Sequence, residues 1–190
     1  MRVISTALPD IRVYEPKRFG DVRGYFTEWY NSRTFADAGL DCHFVQDNLA
    51  FSAAVGTLRG LHFQKPPYAQ GKLIGVLRGA VFDVALDIRR GSPTYGKHVG
   101  VELTEELGNQ LFVPPGFAHG YCTIRPETLV VYKVTEFWNR ESEGGVVWDD
   151  PDLAIAWPLA GTPPQIVDRD AGLPRLAELG ESPFKYEGGR

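Results

Sequence analysis

The sequence predicts a mainly β protein, a sandwich or barrel with a few short helices. Three observations carry that reading. Residues 80–88 alternate without a break, with Phe82, Val84, Leu86 and Ile88 on one face and Val81, Asp83, Ala85 and Asp87 on the other. This is the period-two pattern of a strand whose faces meet different surroundings. Eight further β-like runs follow one another at short spacing, and 21 Gly and 14 Pro punctuate the chain as turns between short strands require.

Taken in order, those runs are residues 24–30, 43–51, 57–63, 72–77, 98–103, 110–113, 119–123 and 129–137. Between them, residues 33–38 predict a helix, with Asn31 or Ser32 as its cap and Gly39 ending it. The turn-rich run from Arg89 to Pro93 closes the alternating strand, and residues 104–107 predict a short turn. From about Asp168 the chain reads as an extended tail, helical again at 174–179, and no internal repeat is present.

A chain of 190 residues suits one domain, 1–190, with 171–190 as a C-terminal extension. At this length roughly 70% of the unfolded surface is buried on folding, so no disulfide or metal staple is required. The net charge of −4 argues against non-specific binding to nucleic acid or to an anionic membrane. No apolar run reaches the roughly 18 residues of a membrane span. Pro9 and Asp10 interrupt any signal core behind Arg2, so the expected location is cytoplasmic. Cys42 and Cys122 form no CxxC pair and read as two buried thiols in a reducing compartment.

Two stretches resemble the paired motifs of the cupin superfamily, which implies a cupin-type jelly roll, a double-stranded β-helix. In the first, Gly56, His62 and Gly79 hold motif positions, but Gln64 stands where a second His is expected and Lys72 replaces the Glu region. In the second, Gly108, Pro114, Gly116 and His119 match, and Thr123 replaces the Asn. Two of the four metal ligands of a metallated cupin are therefore kept, and an ammonium beside a divalent cation is electrostatically unfavourable. The expected pocket holds no metal and no cofactor, with Lys72 stabilising an oxyanion in the metal's place.

A neutral imidazole, a fixed ammonium and a phenol are the parts needed to abstract a proton beside a carbonyl and return it to the other face. Free imidazole ionises near pH 6.5 and so is available as a base, whereas a phenol ionising near 10 is a proton donor. Arg23, Arg59 and Arg169 lie near these motifs or in loops, and guanidinium groups suit an anionic phosphate.

With these residues in view, the chain resembles the dTDP-4-dehydrorhamnose 3,5-epimerases over nearly its whole length. The stretches that carry the likeness are FGDVRGYF from Phe19 to Phe26, FVQDN from Phe44 to Asn48, LRGLHFQ from Leu58 to Gln64 and QGK ending at Lys72. They continue with VFDV from Val81 to Val84, VPPGFAHG from Val113 to Gly120, VYK from Val131 to Lys133 and SEGG from Ser142 to Gly145.

The resemblance implies His62 as general base, Asp170 as its carboxylate partner, Tyr132 as general acid and Lys72 as the residue that stabilises the enolate. His119 matches a further pocket residue, and Asp83 is expected to hold Lys72 or His119. Arg23, Glu28, Gln46, Asp47, Asn48, Arg59, Glu143 and Arg169 match positions that bind the nucleotide, and Trp138 falls where the family stacks an aromatic on thymine. Many members carry Tyr and Lys at positions 138 and 169, and both replacements keep an aromatic face and a cation. The implied substrate is dTDP-4-keto-6-deoxyglucose. The implied partner is a second copy, in a homodimer that exchanges N-terminal strands and brings Phe19, Arg23 and Phe26 to the neighbouring pocket. Three other readings compete: epimerisation at one carbon only, metal-dependent cupin chemistry, and a non-catalytic sugar-binding jelly roll.

Overall fold

The computed structural model describes residues 1–188. Its strands in chain order are β1 (Arg2–Ser5), β2 (Arg12–Glu15), β3 (Arg18–Asp21), β4 (Gly24–Thr27), β5 (Gln46–Ser52), β6 (Leu58–Gln64) and β7 (Lys72–Arg78). They continue with β8 (Ala80–Asp87), β9 (His98–Thr104), β10 (Gln110–Val113), β11 (Phe117–Thr123), β12 (Thr128–Val134) and β13 (Glu143–Gly145). One sheet runs β1-β2-β10-β7-β12-β5 and the other β13-β6-β11-β8-β9, while β3 and β4 form a separate hairpin. With few short helices beside these two facing antiparallel sheets, the architecture is that of a cupin-type jelly roll.

Alternation decides where the core lies. Val81 and Ala85 of β8 turn inward and meet Ile74, Val76, Leu111 and Val130 from the facing sheet. Val84, Leu86 and Ile88 turn outward, where Leu61 and Phe63 of β6 join them. Each of the larger of these side chains contributes roughly 1.5–3 kcal/mol when removed from water. The outward layer is covered by Val146, Leu153, Leu176 and Phe184. Residues expected to form an extended tail are thus the lid of a second apolar layer. Arg90 and the segment around Lys185 seal it with paired backbone hydrogen bonds of 2.9 Å.

Helix α1 (Ser32–Asp37) forms because the Asn31 side chain accepts from the backbone N–H groups of Arg33 and Thr34, and Phe35 is buried beneath it. The expected helix at 174–179 is a single tight turn at Leu176–Glu178, while α2 (Asp168–Ala171) lies just ahead of it. The run expected at 24–30 stops at Thr27, and that at 129–137 stops at Val134. Strands β1, β2, β3 and β13 were not expected; each has four residues or fewer, too short for alternation to register. Cys122 is buried as expected, but Cys42 is only half-buried. No helix among the described residues is long and apolar enough to cross a membrane.

Candidate active site

The site begins with an irregularity in β6. His62 lies directly across from His119 of β11, but the register slips between His119 and Tyr121, which pairs with Arg59. In an unbroken strand, residues three apart point to opposite faces; the bulge instead lets Arg59 and His62 line the same cavity. Gly60 is needed there. Its φ is +115°, and a Cβ would lie 2.6 Å from Gly120 Cα and 2.7 Å from the His119 carbonyl oxygen.

Asp170, carried by α2 and 2% exposed, reads this bulge. One carboxylate oxygen lies 2.9 Å from His62 Nε2, and the other accepts the Gly60 N–H at 3.2 Å. Burial pushes the Asp170 carboxyl up, but His62, the Gly60 N–H and the Arg169 charge outweigh it and hold the carboxyl below its ordinary value. A carboxylate on Nε2 favours the tautomer protonated there, so the lone pair of a neutral His62 sits on Nδ1. His119 repeats the arrangement, with Nε2 at 2.9 and 3.0 Å from the two oxygens of Asp83, which is fully buried. Asp83 therefore holds His119 rather than Lys72.

The facing sheet supplies the other groups. Lys72 opens β7 and Tyr132 lies on β12. Burial lowers the Lys72 ammonium from 10.5 to about 8, although Asp83 and Glu143 partly oppose the shift. Tyr132 is raised, chiefly by burial, with Arg59 opposing, so it remains a protonated phenol at neutral pH.

His62, Lys72, His119, Tyr132 and Asp170 line one cavity of about 730 Å³. Gln46 and Asn48 join His62, Lys72, Tyr132 and Trp138 around an adjoining recess of about 330 Å³. At the mouth, Trp138 is 56% exposed, and its indole N–H donates to Glu143 at 2.9 Å, while Arg169 pairs with the other Glu143 oxygen at 2.9 Å. An aromatic face, two cations and polar amides thus surround a base, an ammonium and an acid.

Other expected residues stand elsewhere. Asp47 points to the opposite side of β5 from Gln46 and Asn48 and pairs with Lys133 at 2.8 Å. Glu28 accepts from Asn31 at 2.7 Å and from Thr34 at 2.9 Å at the start of α1. Phe19, Arg23 and Phe26 sit on the β3–β4 hairpin, exposed, with Arg23 paired to Asp21. None of these five lines either recess of its own chain.

Sequence reasoning missed Thr57, Tyr121 and the segment from Pro164 to Val167, all of which line the cavity. The segment is brought there by a backbone bridge between Thr57 and Gln165, which has no local signal. Tyr121 did have one, since it follows His119 by two residues in a strand. Its buried hydroxyl has no hydrogen-bond partner among the described residues.

The donor set does not suit a metal. The carboxylates that could join the two imidazoles, Asp170 and Asp83, are already committed to them. Gln64 turns its amide to backbone groups. Among the described residues no group of three or more His, Cys, Asp or Glu is placed to hold an ion.

Comparisons with known proteins converge on one family. The family model described as dTDP-4-dehydrorhamnose 3,5-epimerase matches residues 5–178. The dTDP-4-dehydrorhamnose 3,5-epimerase of Sinorhizobium fredii is 47% identical over 182 residues, covering 96% of this chain and 92% of that protein. The dTDP-6-deoxy-D-glucose-3,5-epimerase of Legionella pneumophila, solved in complex with dTDP-4-keto-L-rhamnose, superposes with a TM-score of 0.93 at 41% identity, covering 98% of this chain and 99% of that one. The dTDP-4-dehydrorhamnose 3,5-epimerase of Bacillus anthracis, solved with TDP and PPi bound, gives a TM-score of 0.89 at 48% identity, covering 92% and 98%.

Proposed function

The chain belongs to the dTDP-4-dehydrorhamnose 3,5-epimerase family, and we propose that its pocket inverts C3 and C5 of dTDP-4-keto-6-deoxy-D-glucose without a metal. One observation carries the mechanism: an imidazole backed by a carboxylate and a protonated phenol enter one cavity from opposite sheets, with an ammonium beside them.

His62 Nδ1 takes the proton from the carbon beside the ketone and becomes an imidazolium, which Asp170 steadies. The C–H electron pair moves into the ring, and the C4 oxygen becomes an enolate oxygen held by Lys72. A donor of this kind typically contributes about 2.7–4 kcal/mol to the transition state. Tyr132 gives its proton to the opposite face, the C4 carbonyl re-forms, and the stereocentre is inverted. The imidazolium proton leaves through solvent and the phenolate regains one, so no proton is gained or lost overall. Repeated at the second carbon, the cycle yields dTDP-4-keto-L-rhamnose, the precursor of dTDP-L-rhamnose.

Arg59 and Arg169 supply cations for the diphosphate, and Trp138 offers its face to the thymine, with Gln46, Asn48 and Glu143 around it. The chain is proposed to work as a homodimer in the cytoplasm. Val22, Tyr25 and Phe26 on the β3–β4 hairpin and Leu49 and Phe51 on β5 are exposed, an amount of apolar surface that a second copy would cover. The hairpin would then carry Phe19, Arg23 and Phe26 toward the partner's pocket.

The test is positional proton exchange. Incubated with dTDP-4-keto-6-deoxy-D-glucose in deuterated water, the protein is expected to place solvent deuterium at both C3 and C5. Label at C3 alone would establish a single-carbon epimerase, and label at neither carbon would end the proposal.

A further inference from the structure

Gln64 occupies the place of a missing metal ligand, and the epimerisation mechanism gives it no task. It is nevertheless 4% exposed, and its amide is fully committed. The amide nitrogen donates to the carbonyls of Tyr68 at 2.7 Å and Phe137 at 3.1 Å, and the amide oxygen accepts the N–H of Asn139 at 2.6 Å. The Phe137 carbonyl and the Asn139 N–H flank Trp138. One side-chain amide therefore pairs with that backbone on both sides of the tryptophan, as a neighbouring strand would.

The Trp138 side chain is fixed separately, by its indole N–H on Glu143 at 2.9 Å. Loops that follow a strand are ordinarily the mobile parts of a fold, and ordering one on binding weakens affinity. An exposed aromatic whose backbone and side chain are already held needs no such ordering.

The geometry points to Gln64 as a positioning residue that holds Trp138 ready as the stacking platform for the nucleotide base. In this chain the position of a cupin metal ligand has become a strap for a recognition loop. The inference rests on the reading of Trp138 as the base platform, and its test separates the two.

Dissociation constants for dTDP and steady-state constants for the sugar nucleotide are measured for wild type, Gln64→Met, Trp138→Ala and the double variant. Methionine keeps the volume and removes all three hydrogen bonds. Gln64→Met is expected to raise Kd for dTDP and KM by roughly 10-fold, since two of the three lost bonds hold the tryptophan's own segment and the Tyr68 contact lies outside it. Its kcat should stay within about twofold, because the reacting groups are untouched. In the Trp138→Ala background the same change should weaken dTDP no further, the non-additivity expected of coupled residues.

Should Gln64→Met not fold, Gln64→Glu keeps the length and the acceptor for Asn139 while losing both donors, and is held to the same pattern. Full additivity with Trp138→Ala, unchanged dTDP affinity, or a loss confined to kcat would each overturn the inference. If Trp138→Ala itself leaves dTDP affinity unchanged, the base platform lies elsewhere and the inference falls with it. Deuterium exchange by the wild-type protein would be unaffected by either failure.

Discussion

Asp170 lies 2.9 Å from His62 Nε2 with one oxygen and 3.2 Å from the Gly60 N–H with the other. A single carboxylate thus fixes both the imidazole and the backbone bulge that lets Arg59 share its cavity. Chemistry and fold meet at this group, which comes from a segment more than a hundred residues away in sequence.

Replacing Asp170 with Asn is therefore expected to do more than remove a charge. An amide nitrogen can face His62 Nε2 and favour the wrong tautomer, taking the lone pair away from Nδ1. Proton exchange should fall by roughly 10²–10⁴, the usual range for loss of general base function. Because the folded carboxyl ionises below its ordinary 3.8, the stability it contributes is present above that pH and is lost as acid carries the protein through the lower folded value. Urea melts of wild type and Asp170→Asn should diverge at neutral pH and converge in strong acid. Near-normal exchange by the Asn variant would remove the proposed pairing from the mechanism.

Lys72 makes a prediction of opposite sign for activity and stability. The proposed mechanism needs its ammonium, and burial lowers it from 10.5 to about 8. Above about pH 8, kcat/KM should fall roughly tenfold per pH unit as the free enzyme loses that proton. Between about 8 and 10.5 the unfolded chain binds the proton more tightly than the folded one, so the Lys72 contribution to stability rises with pH over the same window. A Lys72→Arg variant keeps its charge throughout and should lose the alkaline limb, whatever its absolute rate. Persistence of that limb would assign it to another group.

Much of this was legible in the chain. The alternation through Asp83 and Leu86 gave the two-faced strand, and the two cupin-like motifs assigned His62 and His119 to one pocket. Lys72 and Tyr132 fall on strands that their own residues announce. What escaped was non-local. The bulge at Gly60 depends on the approach of Gly120, which no pattern within β6 encodes. The wall from Pro164 to Val167 depends on a bridge to Thr57. Strand β13 is Glu-Gly-Gly, with no apolar residue to mark it, and exists because it pairs with His62 and its neighbours. Asp47 is the reverse case, since its motif suggests the pocket while strand alternation turns it to Lys133 of its own chain.

Asp83 links the His119 pair to the lysine. It contacts His119 directly and acts on Lys72 through space, favouring the charged form. Asp83→Asn should leave His119 with a weaker partner and destabilise the fold by about 1–3 kcal/mol. The same change removes a negative charge that supports the ammonium, so Lys72 should lose its proton at a lower pH than in wild type. The alkaline limb of kcat/KM would then move toward neutrality. A variant that loses stability while its limb stays in place would confine Asp83 to a structural part.

Tyr132 enters from β12, on the sheet facing the one that carries His62, and in the proposed cycle this separates proton removal from proton return. Burial keeps the phenol protonated well past neutrality, with Arg59 only partly opposing. In Tyr132→Phe the base, its carboxylate and the ammonium remain, so a proton still leaves the carbon. Without the acid on the far face, the imidazolium returns a proton, or a solvent deuteron it has exchanged, to the face it came from. Substrate recovered from deuterated water should therefore carry label without inversion, while epimerised product forms more slowly by roughly 10²–10⁴. Mass spectra of recovered substrate and product from one time course decide the matter. If label in the substrate and formation of product slow by the same factor, Tyr132 acts before or during proton removal and is not chiefly the acid.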